Sequence, residues 1–104
     1  MKKITVCGIP YRIKFVDGVK DSQDNSILWG QISYRDRIIK IDKNSTPEHK
    51  RQTFMHELIH GVIEGMSIRE LIDDKGKHSE IPICQLAVGL ANALSSCGLK
   101  IPVE

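Results

Sequence analysis

The run His56-Glu57-Leu58-Ile59-His60 holds the residues of this chain whose types and spacing can do chemistry. Each step along an α-helix turns about 100°, so side chains four apart stand about 40° from each other, one turn up the same face. Two imidazoles so placed can converge on one divalent cation at roughly 2.0 to 2.1 Å. Glu57 falls on the flank of that face, where it can take a proton from water at the cation without ligating it. In a chain of this length, ordinary residue usage gives the pattern by chance on the order of one time in a hundred. The chemistry expected is zinc (Zn2+) held by His56 and His60, with Glu57 as general base.

A zinc centre that does chemistry has three protein ligands and one position left for water. Glu80 is the third ligand this sequence offers best: it opens the next helix, from which a carboxylate can be aimed across the first. The same first-turn position also suits a Glu that only complements its own helix dipole. Glu64 lies one turn beyond His60, but three ligands in line on one helix cannot surround an ion. It suits an acceptor for an imidazole N–H, or a surface charge. His78, close to Glu80 in sequence, is a candidate to give a proton or a hydrogen bond to a developing oxyanion. Asp73 and Asp74 read as solvated and His49 as exposed in a first helical turn; Tyr11 and Tyr34 are oxyanion candidates by type, but strand alternation makes them core residues.

These residues need a scaffold, and the hydrophobic period supplies one by switching from two to 3.6 near residue 42. Ile4 and Val6, then Tyr11, Ile13 and Phe15, alternate with polar neighbours around a Gly8-Ile9-Pro10 break, which reads as a hairpin. Residues 17 to 26 are rich in Asp, Ser, Gly and Asn and read as a loop. A second hairpin follows, Gln31 to Tyr34 and Ile38 to Ile41 flanking an Arg35-Asp36-Arg37 turn. Ser45 or Thr46 caps a helix over about 47–65, with Pro47 and Glu48 in its first turn. On a wheel, Phe54, Met55, Leu58, Ile59, Val62, Ile63 and Met66 form one half, and Thr53, Glu57, His60, Gly61 and Glu64 the other. The histidines stand at the border between core and cleft. A short helix is expected within 67–74, then an exposed turn at 74–77. The last helix, about 79–97, presents Ile83, Leu86, Ala87, Leu90 and Leu94 on one face, and Gly98 is placed for a left-handed cap. The fold class expected is α+β: a single domain over 1–104, with a mixed or antiparallel sheet of about four strands packed on the active-site helix and the C-terminal helix.

Bulk properties narrow the partners. The formal net charge is +2, from 15 basic and 13 acidic residues, with no block of like charge, so nothing favours nucleic acid or a membrane surface. Lys2 and Lys3 are followed by a stretch that Arg12 and Lys14 interrupt, too short for a signal peptide, and no window has the roughly 18 to 20 apolar residues of a membrane span. Three widely spaced cysteines in no CxxC pair fit reduced thiols, and a soluble, cytoplasmic protein is the expectation.

With these residues in view, the chain resembles the gluzincins, HExxH peptidases whose third ligand is a downstream Glu. Its size and layout look most like the minimal zincin domains of phages and bacterial mobile elements, including the ImmA/IrrE-type peptidases. The likeness rests on residues 56–60, on Glu80 opening the stretch Glu80 to Leu90, and on the preceding strands, and spans roughly residues 27–98. It implies a zinc metallopeptidase acting on a peptide or protein, a repressor-like protein being one candidate substrate. It also implies a sheet whose edge strand borders the cleft and takes an extended peptide by strand addition, from either 38–41 or 32–34. The chain departs from the pattern twice: it lacks the helix that many minimal zincins carry ahead of the sheet, and Cys84 stands where larger gluzincins have an acid four after the ligand Glu. Ile63 and Met66 exclude the metzincin pattern, which needs Gly and His there. An alternative is a catalytically idle zinc-binding interaction module of the same fold.

Overall fold

The computed structural model describes residues 2–21 and 23–100. Six strands precede two helices: β1 (Lys2–Val6), β2 (Ile9–Val16), β3 (Val19–Lys20), β4 (Ile27–Leu28), β5 (Gly30–Ser33), β6 (Ile38–Asp42), α1 (Pro47–Met66) and α2 (Glu80–Ser96). The expected α+β class is the one observed. The first hairpin turns at Cys7 and Gly8, both with positive φ (52° and 80°), the two-residue geometry that matches strand twist. The turn is thus one residue earlier than the sequence suggests, and Ile9 and Pro10 belong to β2.

The main sheet is mixed, in the order β1-β2-β6-β5, with β2 and β6 parallel and the other pairs antiparallel. This order corrects one of the two expected edges: residues 38–41 lie inside the sheet, paired on both sides, and β5 is the edge. The segment expected to be a loop also contains structure. Val19–Lys20 pairs with Ile27–Leu28, and Val19 is buried, because the acidic tip closes on itself through Asp21 and Asp24 accepting backbone N–H groups two residues on.

Thr46 caps α1 by accepting from the His49 N–H at 3.2 Å, with Pro47 at the first helical position. The helix ends at Ser67, whose left-handed backbone (φ 52°) lets the Ile68 N–H reach back to the Ile63 carbonyl. Between the helices, the expected short helix is reduced to one 3-10 turn at Arg69–Leu71, followed by a small hairpin closed by an Ile72–His78 bridge. Gly98 takes the left-handed cap expected of it (φ 83°), with the Leu99 N–H bonded to the Leu94 carbonyl.

The core lies between the sheet and the helices: Val6, Tyr11, Ile13, Ile39 and Ile41 meet Phe54, Met55, Ala87 and Ala91. The wheel's two halves do not separate cleanly into core and cleft. Thr53, Glu57 and Gly61, assigned to the open half, are buried, and Met66 of the apolar half is exposed. The reason is close approach. A Cβ on Gly61 would sit 3.1 Å from Ile32 Cδ1, and one on Gly30 would sit 2.5 Å from Thr53 Cγ2 and 3.4 Å from Glu57 Cγ. Missing side chains on both elements thus let α1 settle onto β5 along its Thr53-Glu57-Gly61 ridge. The contact spine of α2 is Ile83-Ala87-Ala91; Leu86 and Leu90, expected on that face, lie at its flank, nearly half exposed.

The close approach at Gly30 is testable. Gly30→Ala is expected to destabilise the domain by about 1–3 kcal/mol in denaturant titrations, the usual range for an overpacked site. Gly89→Ala, in an open helical position with nothing within 4 Å, should gain up to about 1 kcal/mol. Equal effects of the two changes would contradict the packing described.

Candidate metal centre

His56 and His60 stand one turn apart on α1 because nothing interrupts the helix between its cap and Ser67. Glu80 is the first residue of α2, delivered by the small hairpin that ends in Ser79. The three side chains meet: His56 Nε2 is 3.1 Å from Glu80 Oε2, His60 Nε2 is 3.0 Å from Glu80 Oε1, and the two Nε2 atoms are 3.2 Å apart. Among the described residues these three form the one group of His, Cys, Asp and Glu whose ligand atoms converge, all within 4.8 Å of one another.

The donor set fits zinc. Three ligands about 2.1 Å from an ion in tetrahedral arrangement lie about 3.4 Å apart, slightly wider than the separations here. Two imidazole nitrogens and one carboxylate are the ligand types of catalytic zinc. The histidine side chains are 23% and 12% exposed and Glu80 is 60% exposed, so the centre is anchored in the fold and open on the carboxylate side.

Glu57 is outside this donor group. It is only 7% exposed, beneath the centre and against β5, and burial first, then the neighbouring Glu80 charge, push its carboxyl up to about 8. His60 is shifted down, chiefly by burial; Glu80 opposes that shift, and His56 and His78 add to it. A carboxylate wedged into a close helix–sheet contact costs stability, and nothing in the packing requires an acid there.

Two recesses flank the centre. One, of about 360 Å³, opens beside His56 and Glu57 and is walled by Trp29, Gly30, His49 and Val88. The other, of about 310 Å³, lies beside His60, between Tyr34, Glu64, His78 and Glu80. They border the two ends of β5, one at Trp29 and Gly30 and the other at Tyr34, just beyond its last residue. Trp29 is held edge-on to the His49 ring at 4.6 Å, so His49 is part of this wall and not a free first-turn residue. Tyr34 is likewise at the cleft rim instead of in the core. Its hydroxyl donates to the His60 carbonyl at 3.4 Å, and burial together with Glu64, Glu57 and Glu80 raises its pKa. Tyr11 is buried as expected.

The remaining sequence candidates separate clearly. His78 Nδ1 is 2.7 Å from His60 Nδ1, and Glu64 Oε2 is 3.8 Å from His78 Nε2. Cys84, where the resembled pattern has an acid, puts its sulfur 3.5 Å from His56 Nδ1. Asp73, exposed as expected, uses its carboxylate to accept from the Lys75 and Lys77 N–H groups and so shapes the turn. Asp74 is exposed. Tyr34, an oxyanion candidate by type that alternation assigned to the core, and Trp29, which no sequence signal marked, reach the site only through the position of β5.

No family model matches the sequence, and neither a curated protein nor a solved structure matches the chain.

The burial of Glu57 gives a pH dependence with a definite sign. Its folded pKa of about 8 exceeds the usual 4.5, so between those values the folded state keeps a proton that the unfolded chain has released. Stability from this group therefore falls as pH rises from about 4.5 to about 8, and the deficit persists above that. In metal-free protein, the Tm advantage of Glu57→Gln over the natural chain is expected to grow across this range. A difference that stays constant with pH would contradict the assignment.

Proposed function

We propose that this chain is a zinc-dependent metallopeptidase of the gluzincin kind, with His56, His60 and Glu80 as ligands and Glu57 as general base. The observation that carries the reading is the convergence of the two Nε2 atoms and the Glu80 carboxylate at 3.0–3.2 Å, with a buried acid of raised pKa beside them. A zinc ion held there supplies Lewis acidity, making water more acidic and the scissile carbonyl more electrophilic.

The chain's own residues do the rest. Glu57 accepts the proton of the attacking water at its carboxylate and hands it to the leaving amine, a relay that needs no covalent intermediate. Burial raises its pKa in the metal-free protein, and a dication beside it would draw it back towards the carboxylate form that takes a proton. The open edge of β5 orients the substrate. The Asp42 N–H bonds to the Trp29 carbonyl, so alternation makes Gln31 and Ser33 the residues that exchange bonds with β6. The N–H and C=O groups of Gly30 and Ile32 then face outward along the cleft, able to pair with an extended peptide by strand addition. Tyr34 and His60 wall the far end of that line.

The reading as an idle zinc-binding module gives no reason to bury Glu57, whose desolvation costs stability that only chemistry repays. No helix among the described residues is long and apolar enough to cross a membrane. Three free cysteines, all exposed, support a reducing, cytoplasmic setting.

Glu57→Gln is expected to keep stoichiometric zinc and to lose hydrolysis of a generic peptide substrate by two orders of magnitude or more, in line with the roughly 10²–10⁴-fold worth of a general base. His56→Ala and His60→Ala should lose both zinc and activity. Undiminished turnover by Glu57→Gln would remove Glu57 from the reaction.

A further inference from the structure

Both helices lie to one side of the main sheet, and strand register decides what its other face displays. Val6, Tyr11, Ile13, Ile39 and Ile41 point into the core, so the residues between them on β1, β2 and β6 point the other way. There Lys3 of β1 stands directly opposite Arg12 of β2, and Lys14 of β2 directly opposite Lys40 of β6. Neighbouring strands are about 4.8 Å apart, and residues on one face follow each other at about 6.8 Å along a strand, so the four cations form one compact block. They are dispersed in the sequence, where no run of like charge marks them; the pairing of strands gathers them.

No acid offsets the block. The register puts one carboxylate on this face, that of Asp42 at the far end of β6, and it is 8% exposed and accepts the Asn44 N–H at 3.0 Å. Asp36, in the turn after β5, accepts from the Ser33 hydroxyl at 3.4 Å. None of the four cations has an ion-pair partner among the described residues. Like charges directly opposite each other destabilise a sheet, so the fold itself does not call for these two pairs. The neighbours on the face say which anion fits. The large apolar side chains that this protein exposes lie on α2, on β4, at the ends of β5, at the end of α1 and at Leu99, and none is here among the described residues. The face therefore lacks the apolar core of a protein interface, the anchors that enter a membrane and the aromatic platform that takes single-stranded bases. Beside the cations it offers Thr5, Gln31 and Ser33, neutral side chains that join Lys and Arg in bonding phosphate oxygens.

We propose that the open face of the sheet binds the phosphate backbone of duplex nucleic acid through Lys3, Arg12, Lys14 and Lys40. A flat face with no projecting helix enters no groove, so the contact reads phosphates and not base sequence. The helices and the candidate metal centre lie on the other side of the sheet, and the cleft faces away from a bound duplex. This binding depends on sheet register alone and stands apart from the metallopeptidase reading.

Fluorescence anisotropy of a labelled DNA duplex of about 20 base pairs, titrated with the full chain, should give a Kd of about 10⁻⁶–10⁻⁴ M, the range of sequence-independent contact. Four neutralised phosphates predict a slope of about −3.6 in log Kobs against log[salt], a loss of roughly 100-fold between about 50 and 200 mM salt. Lys14→Gln/Lys40→Gln should melt no lower than the natural chain, since it removes a like-charge pair, and should halve the slope. Lys75→Gln/Lys77→Gln, which removes the same charge from the exposed turn between the helices, should leave the slope as it is. Absence of duplex binding at low salt would overturn the proposal, as would an unchanged slope in Lys14→Gln/Lys40→Gln or an equal drop in both double variants. Polyglutamate that displaces the labelled duplex as well as unlabelled duplex does would also overturn it, and would mark the face as a site for acidic protein.

Discussion

The close seating of α1 on the edge strand β5 governs the rest of the molecule. It exists because Gly30 and Gly61 bring no side chains to the interface, and a Cβ at either would meet its neighbours at 3.1 Å or less. Helix and strand come near enough that the residue between them on the ridge, Glu57, is buried with only the cleft side left to it. The same seating turns His56 and His60 to the rim beside β5, each beside a recess that borders one end of that strand. A helix standing farther off would hydrate Glu57 and return its pKa towards the ordinary carboxylate range.

Given that placement, the second helix has one task at the site and performs it with its first residue. Glu80 must reach over the two imidazoles, and the short hairpin of residues 72–79 sets how far it reaches. Because the hairpin is pinned at both ends, it also delivers His78 beneath His60 and leaves the opposite side of the centre to Cys84. The electrostatics follow from this crowding: the carboxylates of Glu57, Glu64 and Glu80, three imidazoles and a tyrosine hydroxyl share a half-buried space, which raises the pKa of Glu57 and Tyr34 and lowers that of His60.

Much of this was legible in the sequence where the determining interactions are local. The spacing of His56 and His60 fixes their shared face through helix geometry alone, and Thr46-Pro47-Glu48 announces where that helix starts. Glu80 was readable because a first-turn residue of a following helix has few places to point. The β1–β2 and β5–β6 hairpins were readable from alternation. What escaped depends on contacts distant in the chain. Which strand lies at the edge is a matter of sheet order, and the parallel pairing of β2 with β6 puts residues 38–41 inside. Alternation made Tyr34 a core residue, but it follows the last paired residue of β5 and so hangs over His60. The wheel misjudged Glu57 and Gly61 because it cannot see a glycine on the opposing strand, and hydrophobicity put Leu86 and Leu90 on the α2 contact face when that contact is made by Ile83 and the two alanines Ala87 and Ala91. His78 was singled out by its type, but its partner was not, since a hairpin bridge decides where it points.

X-ray absorption at the zinc edge of the reconstituted protein tests the central claim most directly. The account predicts a first shell of nitrogen and oxygen only, at about 2.0–2.2 Å, with the outer-shell signature of two imidazoles. A sulfur scatterer at about 2.3 Å, which would bring Cys84 into the shell, or a shell without imidazole, would contradict the centre described.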